Sequence, residues 1–157
     1  MNSLVSLSDV EIPVVSPASG VGGVFDLVWL VIGLPALGAL ILLVGGPLLR
    51  RGSARTFMDK WGHWLGTAFA GASFVLSLAL FIALLGRDEG ERQIGQHLFM
   101  WFESNSIEVG MDLLYDQLSA LFLLLITGVG TLIHVYAVGY MEHDPRRRRF
   151  FGYLNLF

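Results

Sequence analysis

The chain contains no cysteine. That excludes a disulfide framework, a thiolate metal site and a cysteine nucleophile, and it leaves the redox compartment unread. Charge is scarce as well: 15% of residues are Asp, Glu, Lys or Arg against 54% apolar, and the mean hydropathy is +0.65. These values lie far from the average soluble domain. Charge is missing altogether from three long runs, Leu27 to Leu49, Leu65 to Leu85 and Leu118 to Tyr140. At about 1.5 Å of rise per residue, each run is long enough to cross a hydrocarbon core roughly 30 Å thick. The expected fold class is therefore all-α integral membrane, a polytopic helix bundle. Transport, energy coupling or assembly of a larger membrane complex are the functions open to it, rather than chemistry in a soluble cleft.

No Lys or Arg occurs in residues 1–26, which carry Asp9, Glu11 and Asp26 instead. A secretory signal begins with a basic region and continues into an apolar one. Neither feature is present, so this segment reads as an uncleaved extension, and Pro13, Pro17 and the glycines from Gly20 to Gly23 argue against a stable helix before Phe25. Membrane helices are expected at 27–49, 61–85 and 118–140. The formal charge of -3 matters less than its distribution between the connecting segments. Arg50, Arg51, Arg55 and Lys60 make loop 50–60 positive, and Arg146 to Arg149 do the same for loop 141–149. Both are expected in the cytoplasm. Segment 86–117 sets Arg87 and Arg92 against seven acidic residues from Asp88 to Asp116. It is expected outside with the N-terminal extension, so the predicted topology alternates at every span.

After the four arginines, Phe150 to Phe157 reads as the opening turns of a fourth membrane helix, too short to span and therefore the mark of a truncated chain. An interfacial helix anchored by the arginines and aromatics is the rival reading. Pro35, near the middle of the first span, removes a backbone donor and can kink that helix, although membrane helices often tolerate proline. Trp61 and Trp64 suit the membrane interface. Gly62, Gly66, Ala70, Ser73 and Ser77 place small side chains where another helix can approach closely. In the outer segment, Ile94 to Trp101 and Ser106 to Leu114 mix apolar and polar residues at near-alternating positions, which predicts a short outer hairpin bracing the helices.

The third span carries the polar groups that could take part in proton movement: Asp116 at its outer mouth, Thr127 near its middle, and His134 and Tyr136 towards its inner end. Desolvating an ionisable group is costly, so an intramembrane histidine is a functional candidate, and its titration range suits a relay. A neutral imidazole hydrogen-bonded between helices is the competing account, since no acidic residue lies in any span. Asp116, three residues before Ser119, is expected to cap the helix N-terminus and complement its dipole. No glycine-rich phosphate loop, zinc, haem or iron–sulfur spacing, or nucleophile–base pair is present. Catalytic, cofactor-binding and metal-binding residues are therefore not expected in this chain. The tetra-arginine run is explained as a topology signal or an anionic-lipid contact rather than a nucleic-acid site.

The strings Asp116-Gln117-Leu118-Ser119, Thr127 to Tyr136, Gly139-Tyr140-Met141 and Arg149 to Phe157 resemble the N-terminal part of the subunit L (chain 5) family of respiratory complex I, within the wider antiporter-like group. The resemblance implies a proton-translocating membrane-arm subunit of an NADH:quinone oxidoreductase. It further implies that NADH, FMN, the iron–sulfur clusters and quinone are handled by partner subunits of the membrane and peripheral arms. The essential glutamate and lysines of the family lie in later helices, and none maps onto residues 1–157. His134 matches a position of the family pattern. The implied location is the inner (cytoplasmic) membrane of a bacterium, or an organellar inner membrane, with the N-terminus outside. A subunit of a multi-subunit sodium/proton antiporter and a small membrane scaffold are the alternatives.

Overall fold

The computed structural model describes residues 22–48, 53–88, 91–104 and 107–157. The expected N-terminal extension, apart from its last residues, lies outside the described residues. A short 3-10 turn, Val24–Leu27, leads into helix α1, Val28–Leu48. Its entry is set by Gly23, whose φ of 105° falls in the left-handed region that glycine occupies without steric penalty. Helix α2 is Ser53–Leu85, strands β1 and β2 are Ile94–Ser104 and Ile107–Tyr115, helix α3 is Gln117–Tyr140, and helix α4 is Arg147–Leu156. Three helical stretches, Val24–Gly45, Thr56–Leu85 and Gln117–Tyr140, are long and apolar enough to cross a membrane. The protein is a polytopic helical membrane protein with a small two-stranded sheet.

Two helix starts differ from expectation. Residues 53–60, read as loop from their charge, form the first turns of α2, and residues 147–149, also read as loop, open α4. Charge marks where a chain leaves hydrocarbon, but it does not stop a helix. Between Ser53 and Lys60 no Pro or Gly interrupts the backbone pattern. Conversely, α1 runs unbroken through Pro35.

Helix α2 is the centre of the bundle, packing against α1, α3 and α4, while α1 also packs on α4. The small residues of α2 explain this. Gly62, Gly66, Ala70, Ser73 and Ser77 are all buried, and a Cβ added at Gly66 would lie 2.7 Å from the Asn155 amide nitrogen and 3.0 Å from Leu42. Ser73 donates to the Val31 carbonyl at 2.5 Å, tying α2 to α1. Two apolar clusters lie at opposite ends. One joins Phe25, Val28, Val31, Leu80, Leu84, Ile94, Tyr115 and Ala120, and the other joins Leu42, Ala137 and Phe151. The arginine-rich segment is thus at one end of the bundle and the hairpin at the other.

The antiparallel hairpin pairs Ile94 with Tyr115 at its root and Ser104 with Ile107 near its tip, with irregularities between His97 and Phe99 and between Met100 and Phe102. The root is packed into the helices. The Gln96 side chain donates to the Asp26 carbonyl at 2.8 Å, and Arg87 lies 5.2 Å from the centre of the Phe25 ring. Trp101, further out, is 71% exposed. Tyr115 buries a hydroxyl with no hydrogen-bond partner among the described residues, and burial pushes its ionisation up to about 12.

Candidate functional site

His134 is buried on α3, facing α4. Its Nδ1 lies 2.7 Å from the Gly130 carbonyl oxygen, which can only accept, so Nδ1 carries the proton. Nε2 is then the acceptor, and it receives the Asn155 side-chain amide at 3.1 Å. The same Asn155 nitrogen donates to the Phe151 carbonyl at 3.0 Å. The imidazole is therefore a neutral, doubly bonded bridge between α3 and α4. Asn155 Oδ1 is buried and has no partner among the described residues.

Beside this pair opens a groove of about 300 Å³ between α1, α3 and the end of α4, with Ala70 and Ser73 of α2 in its floor. Pro35, Thr127, Thr131, His134 and Asn155 line it. Thr127, Thr131 and His134 fall on one helical face because they are spaced four and three residues apart. Their hydroxyls are already committed: Thr127 donates to the Leu123 carbonyl at 2.6 Å, and Thr131 reaches both the Thr127 carbonyl at 2.8 Å and the Ala70 carbonyl of α2 at 3.1 Å. Back-bonding of this kind satisfies a hydroxyl in an apolar setting without a second polar side chain.

Of the four residues singled out from the sequence, the structure brings Thr127 and His134 to the same groove. Asp116 lies about 27 Å from His134 by helical rise. It is the N-cap of α3, accepting the Ser119 amide at 2.7 Å on Oδ1. Those bonds hold its carboxyl below the usual aspartate range. Tyr136 is 71% exposed and stacks on Tyr140 at 5.9 Å, away from the bundle interior.

Three further polar residues belong to this region and were not singled out. Asn155 supplies the partner that His134 lacks among the acids. His63 of α2 is buried, its ring 6.0 Å from that of Phe151, which lies equally 6.0 Å from the His134 ring. Arg148 is buried at the start of α4, where it pairs with Asp59 at 2.7 Å and donates to the Leu42 carbonyl. His63 and Asn155 each had a sequence signal, a polar residue in an otherwise apolar or aromatic run, whereas Arg148 stands among four identical arginines and had none.

The family described as NADH-ubiquinone oxidoreductase (complex I), chain 5 N-terminus matches residues 101–151, which take in most of the hairpin, α3 and the first half of α4. NADH-quinone oxidoreductase subunit L of Mycobacterium tuberculosis is 53% identical over 129 residues, covering 82% of this chain. The chain belongs to the subunit L (chain 5) family. Subunit L of Escherichia coli is 36% identical over 125 residues and 78% of the chain, and the NAD(P)H-quinone oxidoreductase chain 5 of Synechocystis is 33% identical over 133 residues and 85% of the chain. The chain spans 19% of the length of each of these three relatives. Thr127 and His134 lie within the residues that the family matches, and Asn155 lies just past them.

Proposed function

We propose that the chain forms the N-terminal portion of a proton-translocating membrane-arm subunit of an NADH:quinone oxidoreductase, coupling electron transfer in other subunits to proton pumping. The 53% identity over 129 residues to the mycobacterial subunit L carries this reading. On it, the partners are the other membrane-arm and peripheral-arm subunits, and NADH, FMN, the iron–sulfur clusters and quinone reside in them. The residues of this chain do not fit an iron–sulfur cluster: it has no cysteine, and among the described residues no three His, Asp or Glu side chains converge. The arginine-rich end faces the cytoplasm of a bacterial inner membrane and the hairpin end faces outside, following the distribution of basic residues. Helix α4, lying along α1 and α2 rather than across their ends, is the start of a fourth span.

Within that subunit His134 holds α4 in place, and its Nε2 is the one basic nitrogen it presents. A proton arriving there would displace the Asn155 amide nitrogen. Half a turn of that amide brings the unpartnered Oδ1 to face the new N–H, at the loss of the bond to Phe151. The pair can therefore accommodate either protonation state, with Thr127 on the same groove. Asp116 serves as a cap and Tyr136 faces lipid.

The test is purification of the chain from native membranes, with identification of its companions and measurement of NADH-driven proton movement. Flavin and iron–sulfur subunits with pumping that His134→Ala impairs in an assembled complex are the expected result. Sodium-dependent exchange without those companions would replace this reading with the antiporter one.

A further inference from the structure

The arginine-rich end carries a second cavity, of about 230 Å³, lined by Asp59, Pro145, Arg146, Arg148 and Arg149. The four successive arginines are not equivalent. Arg147 donates to the carbonyls of Asp59, Lys60 and Glu142, and Arg148 is committed to Asp59 and the Leu42 carbonyl. Arg146 and Arg149 line the cavity with guanidinium groups that make no hydrogen bond or ion pair among the described residues. With Asp59 paired to Arg148 and the Asp144 carboxylate accepting the Arg146 backbone amide, the cavity presents two guanidinium groups whose forks suit phosphate oxygens.

An apolar groove of about 280 Å³ lies on α2 at this same end, lined by Phe57, Met58, Trp61, Gly62, Trp64 and Leu65. Gly62 joins the two features. A Cβ there would meet the Arg148 side chain at 3.1 Å, so the arginine stem lies directly on the backbone that forms the groove. Phe57, Trp61 and Trp64 are 64%, 47% and 52% exposed. Both features lie at the end of membrane-length helices, beside the α3–α4 connection, at the level where headgroups meet hydrocarbon.

We infer that Arg146 and Arg149 bind the phosphate of an anionic membrane phospholipid whose acyl chains lie along Phe57, Trp61 and Trp64. A soluble anion would satisfy the arginines and leave the aromatic groove unused. A zwitterionic lipid would cover the groove but bring its own cation to the arginines. An anionic phospholipid matches both, and it gives the basic turn a lipid-selective site on top of any role in topology.

The full-length chain, exchanged into bilayers of equal phosphatidylglycerol and phosphatidylcholine and then extracted, is examined by native mass spectrometry for retained lipid. Phosphatidylglycerol is expected to be retained selectively. Arg146→Gln with Arg149→Gln should lower that retention about thirtyfold, from two guanidinium groups at the membrane surface. The corresponding double lysine variant, which keeps the charge but not the fork, should restore part of it. Lys60→Gln, at the same end but not lining the cavity, should change it less than about twofold. Equal retention of the two lipids, no effect of the double glutamine variant, or an equal effect of Lys60→Gln would overturn the site in favour of diffuse surface charge. Complete displacement of the lipid by inorganic phosphate would overturn the lipid assignment and leave a soluble-anion site.

Discussion

Asn155 donates its side-chain amide to His134 Nε2 at 3.1 Å, and the direction of that bond is fixed by the opposite nitrogen, which gives its proton to Gly130. Removing the amide leaves a buried acceptor without a partner. Asn155→Ala should therefore lower the stability of α4 docking by about 1 kcal/mol, the scale of interhelical hydrogen bonds in membranes. Thermal unfolding in detergent measures it. In a double-mutant cycle with His134→Ala, most of that loss should appear as coupling; strictly additive effects would mean the bond contributes nothing.

Gly66 and Gly130 flank this pair but should respond differently to a methyl group. At Gly66 a Cβ would meet Asn155 at 2.7 Å and Leu42 at 3.0 Å, whereas at Gly130 nothing lies within 4 Å. Gly66→Ala should destabilise the bundle by roughly 1–3 kcal/mol by overpacking and displace the Asn155 amide from His134. Gly130→Ala should be neutral or stabilising by up to about 1 kcal/mol through helix propensity. Equal melting temperatures for the two variants would contradict the packing described.

Among the four arginines, Arg148 is the anchor of α4. Arg148→Ala removes its pair with Asp59 and its bond to Leu42, and should lower stability by about 2 kcal/mol, less than for a fully buried pair because Asp59 is half exposed. Arg149→Ala should stay within about 0.5 kcal/mol, as for surface substitutions generally. Paired denaturation curves distinguish them.

The Asp116 cap makes stability depend on pH in a stated direction. Its folded-state pKa is depressed, chiefly by the hydrogen bonds from Ser119. The cap's contribution is thus complete above the ordinary aspartate range and is lost as pH falls through the lower, folded value. Asp116→Ala should cost about 1 kcal/mol near neutrality, and Asp116→Asn much less, because both Asp and Asn cap well. The gap between wild type and the alanine variant should close in acid.

The features legible in the sequence were those set by long-range solvent preference. Uncharged runs locate α1 and α3 to within a residue or two and the C-terminal part of α2 but not its start at Ser53, alternation locates the hairpin, and the small residues from Gly62 to Ser77 identify the contact face of α2. Asp116 was legible as a cap because capping is decided within four residues. The partner of His134 was not. A search for acids within the three uncharged runs passes over Asn155, an amide on a fourth helix 21 residues away, brought close by a turn and by glycines on α1 and α2. Arg148 was hidden for a related reason: four identical residues give no sign of which one the helix turns inward.

The seat of α4 is made from other helices: Leu42 and Leu43 of α1 under Arg148 and Gly152, Gly38 and Gly66 beside Asn155. Such a seat exists only after α1 and α2 have come together. The ten residues of α4 therefore depend on the pairing of the first two helices for their seat, and any change that separates α1 from α2 removes it.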